Sequence, residues 1–322
     1  MKTGNAVFDG LYKDVPAVVL ENEYLRVKIV PGFGAKTASM FYKQGQASSG
    51  HELLWQASAA KFKKTAYGDP YSDGEISGFD EMFPSISQCF YEDKPWAGAG
   101  IPDHGEVWSI PWSASKDTGS AVFSVDGVRF PYTLTKTVRL EGSILRSVYR
   151  LENRSSFAFP YIWAAHPLFN AAPGMRFVVP NDCKEIVNAV AGPVLGGYGE
   201  VHTFPIMNAV GGKVDLSTVS PPDPSAYQKY YFRNKLAEGW CALENPVNGL
   251  SIRMSFPSDK ISYLGMWLNQ GGWAGQYNIA PEPCSAGMDR IDAAKLWGMQ
   301  NSIAAGSMVE WYLDIAVSQL GK

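Results

Sequence analysis

At 322 residues, with 46% apolar and only 18% charged residues, the chain has the material for one large core and does not have the composition of a disordered polymer. A net charge of −3, with acids and bases interspersed, excludes a surface built to neutralise nucleic-acid phosphates, and no stretch approaches the roughly eighteen apolar residues of a membrane span. The four cysteines, Cys89, Cys183, Cys241 and Cys284, stand far apart without a CxxC pair, which predicts reduced, mostly buried thiols rather than a zinc ribbon or a disulfide framework.

The opening residues Met1-Lys2-Thr3-Gly4-Asn5 carry no signal-peptide pattern, so the expected location is cytoplasmic. In residues 25–30, Leu25, Val27 and Ile29 alternate with Arg26 and Lys28, the period-two pattern of a half-buried strand, and Pro31-Gly32 ends it. Lys61, Lys63 and Lys64 read as a solvated loop. Residues 121–125 and 128–132 flank Asp126-Gly127, a pair suited to a type I′ hairpin turn. Residues 133–140 and 144–151 flank Glu141-Gly142-Ser143, with Leu134, Val138 and Leu140 set against Leu145, Tyr149 and Leu151. Together these predict an antiparallel meander. Further strands are predicted at 161–165, 176–179, 250–256, 263–268 and 308–317, each bounded by turn residues, while residues 217–227 with Pro221, Pro222 and Pro224 read as a surface loop. No long helical periodicity, internal repeat or linker stands out. The prediction is therefore all-β: one domain over residues 1–322, built as a large, mostly antiparallel β-sandwich.

Four histidines occur, His51, His104, His166 and His202. His166 ends the aromatic segment Trp163-Ala164-Ala165-His166-Pro167-Leu168-Phe169, where a packed core histidine competes with one tuned by desolvation and a nearby carboxylate. His104 sits in Pro102-Asp103-His104-Gly105-Glu106-Val107-Trp108, with Trp112 close behind. A polar loop beside tryptophans suits a sugar, which offers a C–H face to an aromatic ring and hydroxyls to polar side chains, although a solvated loop histidine fits equally. Glu282 stands between Pro281 and Pro283, which would fix its direction as a general base unless it is an exposed loop acid. In Gly78-Phe79-Asp80-Glu81-Met82-Phe83-Pro84, adjacent acids on a strand point to opposite faces, so at most one of Asp80 and Glu81 faces a given cleft. The segment Trp267-Leu268-Asn269-Gln270-Gly271-Gly272-Trp273 adds Trp267 as a stacking candidate, Asn269 as an amide contact and Trp273 as a weaker platform.

In their order along the chain, these segments resemble the aldose 1-epimerase (galactose mutarotase-like) family over roughly residues 20–317: Asn22 to Leu25 running to Pro31-Gly32-Phe33-Gly34-Ala35, then Gly78-Phe79-Asp80, Asp103-His104-Gly105, His166-Pro167-Leu168-Phe169 and Glu282-Pro283-Cys284. The resemblance implies a β-supersandwich with a sugar cleft on its concave face. It also implies His166 as the general acid on the ring oxygen, Glu282 as the base on the anomeric hydroxyl, and His104 as a second, substrate-binding histidine. Such chemistry needs one acid and one base and no metal or other cofactor, and its partner is a small-molecule carbohydrate. The chain departs from galactose mutarotases at Ser77-Gly78-Phe79-Asp80-Glu81-Met82-Phe83, where they carry an arginine. That change of recognition surface argues against galactose itself, and its acids disfavour a phosphorylated sugar, so neutral or amino sugars fit better than a sugar phosphate. Two other readings stay open on the same fold: a sugar-binding or sensing protein, and a lyase or hydrolase of larger saccharides, whose metal would fall to His104 and nearby carboxylates.

Overall fold

A computed structural model describes residues 4–43, 50–209 and 212–321; Met1, Lys2 and Thr3 of the opening segment lie outside them. The chain starts with four antiparallel strands, β1 (Ala6–Tyr12), β2 (Val15–Glu21), β3 (Leu25–Val30) and β4 (Lys36–Lys43), and β5 (Phe79–Met82) extends their sheet. A second sheet receives the meander β6 (Ser113–Asp117), β7 (Ser120–Asp126), β8 (Tyr132–Glu141) and β9 (Ile144–Asn153). From there the chain alternates between sheets. β10 (Ala164–Pro167) lies beside β5, and β11 (Arg176–Val178) joins the second sheet. β12 (Glu185–Asn188), β13 (Val201–Thr203) and β14 (Tyr227–Phe232) return to the first, and β15 (Trp240–Asn245) and β16 (Leu250–Ser255) to the second. β17 (Tyr263–Gln270) and β18 (Tyr277–Cys284) fill the middle of the first sheet. After the short helix α1 (Ile291–Leu296), β19 (Met308–Gln319) runs between β16 and β9.

Among the described residues, the first sheet has 13 strands in the order β1-β2-β3-β4-β5-β10-β18-β17-β14-β12-β13, counting the short pieces Gly50–Glu52 and Phe169–Asn170. The second has eight, ordered β11-β15-β16-β19-β9-β8-β7-β6. Apolar side chains of both inner faces, among them Val27, Ile29, Phe123, Leu134, Leu313 and Ile315, share one core. Along β8 and β9 burial alternates residue by residue, and the register sets Leu134 opposite Leu151 and Leu140 opposite Leu145, as the sequence pattern predicts. Glu141 pairs with Ile144 around Gly142-Ser143, with Gly142 at φ 60°, a conformation glycine adopts without a Cβ clash.

Asp126-Gly127 is not a two-residue turn. β7 ends at Asp126, which pairs with Thr133, and β8 begins only at Tyr132. The N–H groups of Val128 and Arg129 donate instead to the buried Glu106 carboxylate, and Pro131 has no N–H to give to a ladder. The predicted strand at 161–165 likewise forms only from Ala164. All four cysteines are buried, and no disulfide joins them among the described residues.

Candidate active site

Glu282 sits in the middle of β18. On one side β18 pairs with β17 along its whole length; on the other it meets β10 at Cys284 and the short strand Phe169–Asn170 at Ile279, with no ladder between. Pro167, Pro281 and Pro283 all fall in that interruption, and proline cannot donate to a ladder. The register is the same on both sides of the gap, so carried through it sets His166 across from Glu282. The side chains meet there, with His166 Nε2 3.4 Å from Glu282 Oε1. Glu282 is thus a strand residue with no exposed surface rather than a loop acid.

His166 also faces Asp80 across the β10–β5 ladder. Alternation along β5 sends its two acids to opposite faces. Asp80 lies on the His166 side, where it pairs with Lys36 at 2.5 Å and accepts the Tyr71 hydroxyl at 2.9 Å. Held beneath Tyr71, it is buried and is not part of the cavity wall. Glu81 lies on the other face, away from the cavity wall. It points between the sheets, where it accepts from Lys136 Nζ (3.1 Å), Tyr149 OH (2.9 Å) and Trp163 Nε1 (3.1 Å). It is a core acid.

Above Glu282 opens a cavity of about 390 Å³ whose wall includes Tyr71, His104, His166, Lys229, Trp267 and Asp289. Tyr71 stacks on His104 with ring centroids 3.8 Å apart and meets His166 edge-on at 5.8 Å. His104 has φ 58°, costly for a non-glycine residue. The turn is fixed by Gly105, where a Cβ would come within 2.1 Å of the Phe83 carbonyl oxygen. His104 Nδ1 and Asp103 Oδ1 share a 2.9 Å hydrogen bond. Partial burial would raise the Asp103 carboxyl, but His104 outweighs it and holds it below the usual range. Opposite, Trp267 and Trp273 meet edge to face at 6.1 Å. Asn269, expected as a substrate contact, is fully buried: its Nδ2 donates to the Trp273 carbonyl and its Oδ1 accepts the N–H groups of Gly271 and Trp273. It closes the turn that places Trp273 in the wall.

Among the wall residues that sequence reasoning missed are Lys229, Asp289 and Tyr71. Lys229 on β14 forms an ion pair with Glu282 Oε2 and lies 3.7 Å from Asp289, which also accepts the Tyr231 hydroxyl at 2.5 Å. The available signal was a lone lysine inside the aromatic strand Tyr227-Gln228-Lys229-Tyr230-Tyr231-Phe232. Burial pushes the Glu282 carboxyl up to about 7, with Lys229 pulling against it and Asp289 adding to it. Burial, then the neighbouring His104, Lys229 and Lys36, hold the His166 imidazole well below its ordinary value, so it is neutral near pH 7. His166 Nδ1, Glu282 Oε1 and Asp80 Oδ1 are buried without a hydrogen-bond partner. The centre therefore offers a neutral imidazole, a carboxyl that exchanges its proton near neutrality and an ammonium. Among the described residues, no cluster of three or more His, Cys, Asp or Glu is disposed to hold a metal ion, and no helix is long and apolar enough to cross a membrane.

No protein-family model and no curated protein matches the chain by sequence. Solved structures match it over nearly its whole length. A protein from Synechocystis sp. PCC 6803 is 17% identical with a TM-score of 0.70, covering 97% of this chain and 99% of that one. A galactose mutarotase-like protein from Lactobacillus casei ATCC 334 is 20% identical with a TM-score of 0.66, covering 94% and 100%. A galactose mutarotase related enzyme from Lactobacillus acidophilus is 14% identical with a TM-score of 0.67, covering 95% and 99%. At these identities the likeness is one of architecture: the chain has the all-β, galactose mutarotase-like fold.

Proposed function

We propose that the protein interconverts the α and β anomers of a small neutral or amino sugar by acid–base ring opening, the reaction of aldose 1-epimerases. The observation that carries this is the His166–Glu282 pair, 3.4 Å apart at an aromatic-walled cavity, with the facing carboxylate oxygen otherwise unpartnered. Trp267 supplies a face for the sugar's C–H surface, and Asp289, Gln276 and Asp103 supply polar groups for its hydroxyls. The mutarotase-like solved structures support the architecture.

Ring opening removes the proton of O1 and gives one to the ring oxygen. Rotation about C1–C2 then presents the other carbonyl face, and closure reverses both transfers. His166 lines the cavity and is neutral, whereas Glu282 lies behind it. That order favours the imidazole as acceptor of the O1 proton, with the Glu282 carboxylate holding the resulting imidazolium, a direction opposite to the one implied by the family resemblance. Each positioned group of this kind contributes about 10² to 10⁴ in rate.

Exchange NMR of α and β anomers across neutral aldoses and amino sugars tests the function. Accelerated interconversion is the expected result. Sugar binding in a calorimeter without accelerated exchange would overturn catalysis and leave a binding protein.

A further inference from the structure

Beyond the His166–Glu282 pair the cavity wall continues along the sheet. The register puts Gly265 of β17 opposite Glu282, and Trp267 and Asn269 follow on the same face at two-residue steps, each about 7 Å along the strand. On β14, Lys229 stands opposite Trp267 and Tyr227 opposite Asn269. The turn that Asn269 closes carries Trp273. The wall therefore ends in three aromatic rings, with Tyr227 and Trp273 at 6.0 Å and 6.1 Å from Trp267, centroid to centroid. Tyr227 stands about 13 Å along the sheet from the level of Glu282, farther than one pyranose ring reaches from an anomeric carbon held at the pair.

We infer that the substrate is a reducing disaccharide, its reducing-end ring at His166 and Glu282 and a second, uncharged pyranose on Trp273 and Tyr227; this names the substrate of the anomer-exchange reading above and rests on it. The far rings are not core. Tyr227, Trp267 and Trp273 are half-buried and line the cavity, whereas Trp163 and Tyr230 inside the protein are enclosed. They are also held in place before any ligand arrives: the Tyr227 hydroxyl donates to the Ala191 carbonyl at 3.1 Å, and Asn269 bonds both the N–H and the carbonyl of Trp273. Such a fixed platform matches the C–H face of a sugar ring. The cavity volume of about 390 Å³ falls in the range of about 300–1,000 Å³ that encloses ligands larger than a lone hexose.

Charge in the wall is confined to the other end. Lys229 is drawn to Glu282 and Asp289, and Asp103 to His104, whereas Val190, Tyr227, Trp273 and Gln276 carry none. A phosphate on the second ring would meet no free cation there, so that ring is neutral. C1 and C4 lie at opposite ends of a pyranose; with C1 at the pair, a 1→4 linkage carries the next ring onward along this wall. Anomer exchange changes only the reducing end. The second ring keeps every bond and contributes binding remote from the reacting centre.

The test compares anomer exchange of cellobiose, maltose, mannobiose, xylobiose and chitobiose, each against the monosaccharide of its own reducing end, for the wild type, Trp273→Ala and Trp273→Phe. With a second-ring site, kcat/KM of at least one disaccharide exceeds that of its monosaccharide by about five- to hundredfold, the worth of two stacking rings. Trp273→Ala lowers that ratio by about two- to tenfold, and Trp273→Phe restores most of it. Every disaccharide exchanging no faster than its monosaccharide in the wild type would overturn the inference, and that result needs no variant to fold. So would a ratio that Trp273→Ala and Tyr227→Ala both leave untouched. Absence of exchange with any sugar would instead overturn the catalytic reading. Calorimetry then decides the second-ring site by itself: tighter binding of a disaccharide that Trp273→Ala abolishes upholds the site, and binding no tighter than the monosaccharide's removes it.

Discussion

Two buried carboxylates, each paired with a buried lysine, lie on opposite faces of the same sheet. Glu81 and Glu282 both have no exposed surface, and burial pushes both carboxyls up. Between the sheets, Glu81 is saturated, taking Lys136 and Tyr149 on one oxygen and Trp163 on the other. At the cavity, Glu282 takes Lys229 on one oxygen and leaves the other without a hydrogen bond, 3.4 Å from His166. Burial and charge are therefore common to a structural ion pair and a reactive one. The difference is an acceptor left open where a ligand can arrive.

The sharpest way to break this contrast is to neutralise each acid. Glu282→Gln removes the charge that would hold the imidazolium, and anomer exchange should fall by about 10² to 10⁴ in kcat, while Asp289, 3.7 Å from Lys229, stays as a partner for the ammonium. Glu81→Gln should do the reverse: Lys136 is left charged and unpaired in the core, at a cost of about 3–5 kcal/mol in urea unfolding, while kcat of the folded protein is unchanged. If Glu81→Gln lost kcat at unchanged stability, the two acids would have exchanged roles.

A change of pH separates them without mutation. Activity needs Glu282 ionised, and its carboxyl is held at about 7, so kcat/KM should fall about tenfold per pH unit below that point. Stability runs the other way. The folded state holds the Glu282 proton more tightly than the unfolded chain, so its contribution is full below the ordinary carboxylate range and is lost as pH rises through about 7. Thermal melts at pH 5 and pH 8 should therefore show the wild type losing stability relative to Glu282→Gln. An equal response in both proteins would remove Glu282 as the titrating group.

The parts of this contrast that were legible in the sequence are those that depend on local pattern. Alternation exposed the strand Leu25–Val30 and the inward set of β8 and β9, and scarcity in aromatic settings singled out His104 and His166. Adjacent acids announced that Asp80 and Glu81 face opposite ways, but the phase is set by which sheet packs on which side, and that is decided by strands far along the chain. Lys229 was invisible for the same reason: its meaning comes from a carboxylate 53 residues later. Asp126-Gly127 misled because a buried carboxylate, Glu106, captured the N–H groups that a hairpin would have used.

The smallest effects should separate touching the sugar from holding what touches it. Trp267 faces the cavity, so Trp267→Ala removes a stacking surface of about 0.5–1.5 kcal/mol, which raises KM by roughly two- to tenfold and leaves kcat nearly unchanged. Asn269 has no exposed surface and acts only through the turn that carries Trp273. Asn269→Ala should raise KM less than Trp267→Ala but lower the melting temperature more, because three hydrogen bonds vanish and leave half-buried backbone groups unpaired. A larger KM effect from Asn269→Ala, with no change in melting, would mean that the turn opens and brings the amide to the ligand.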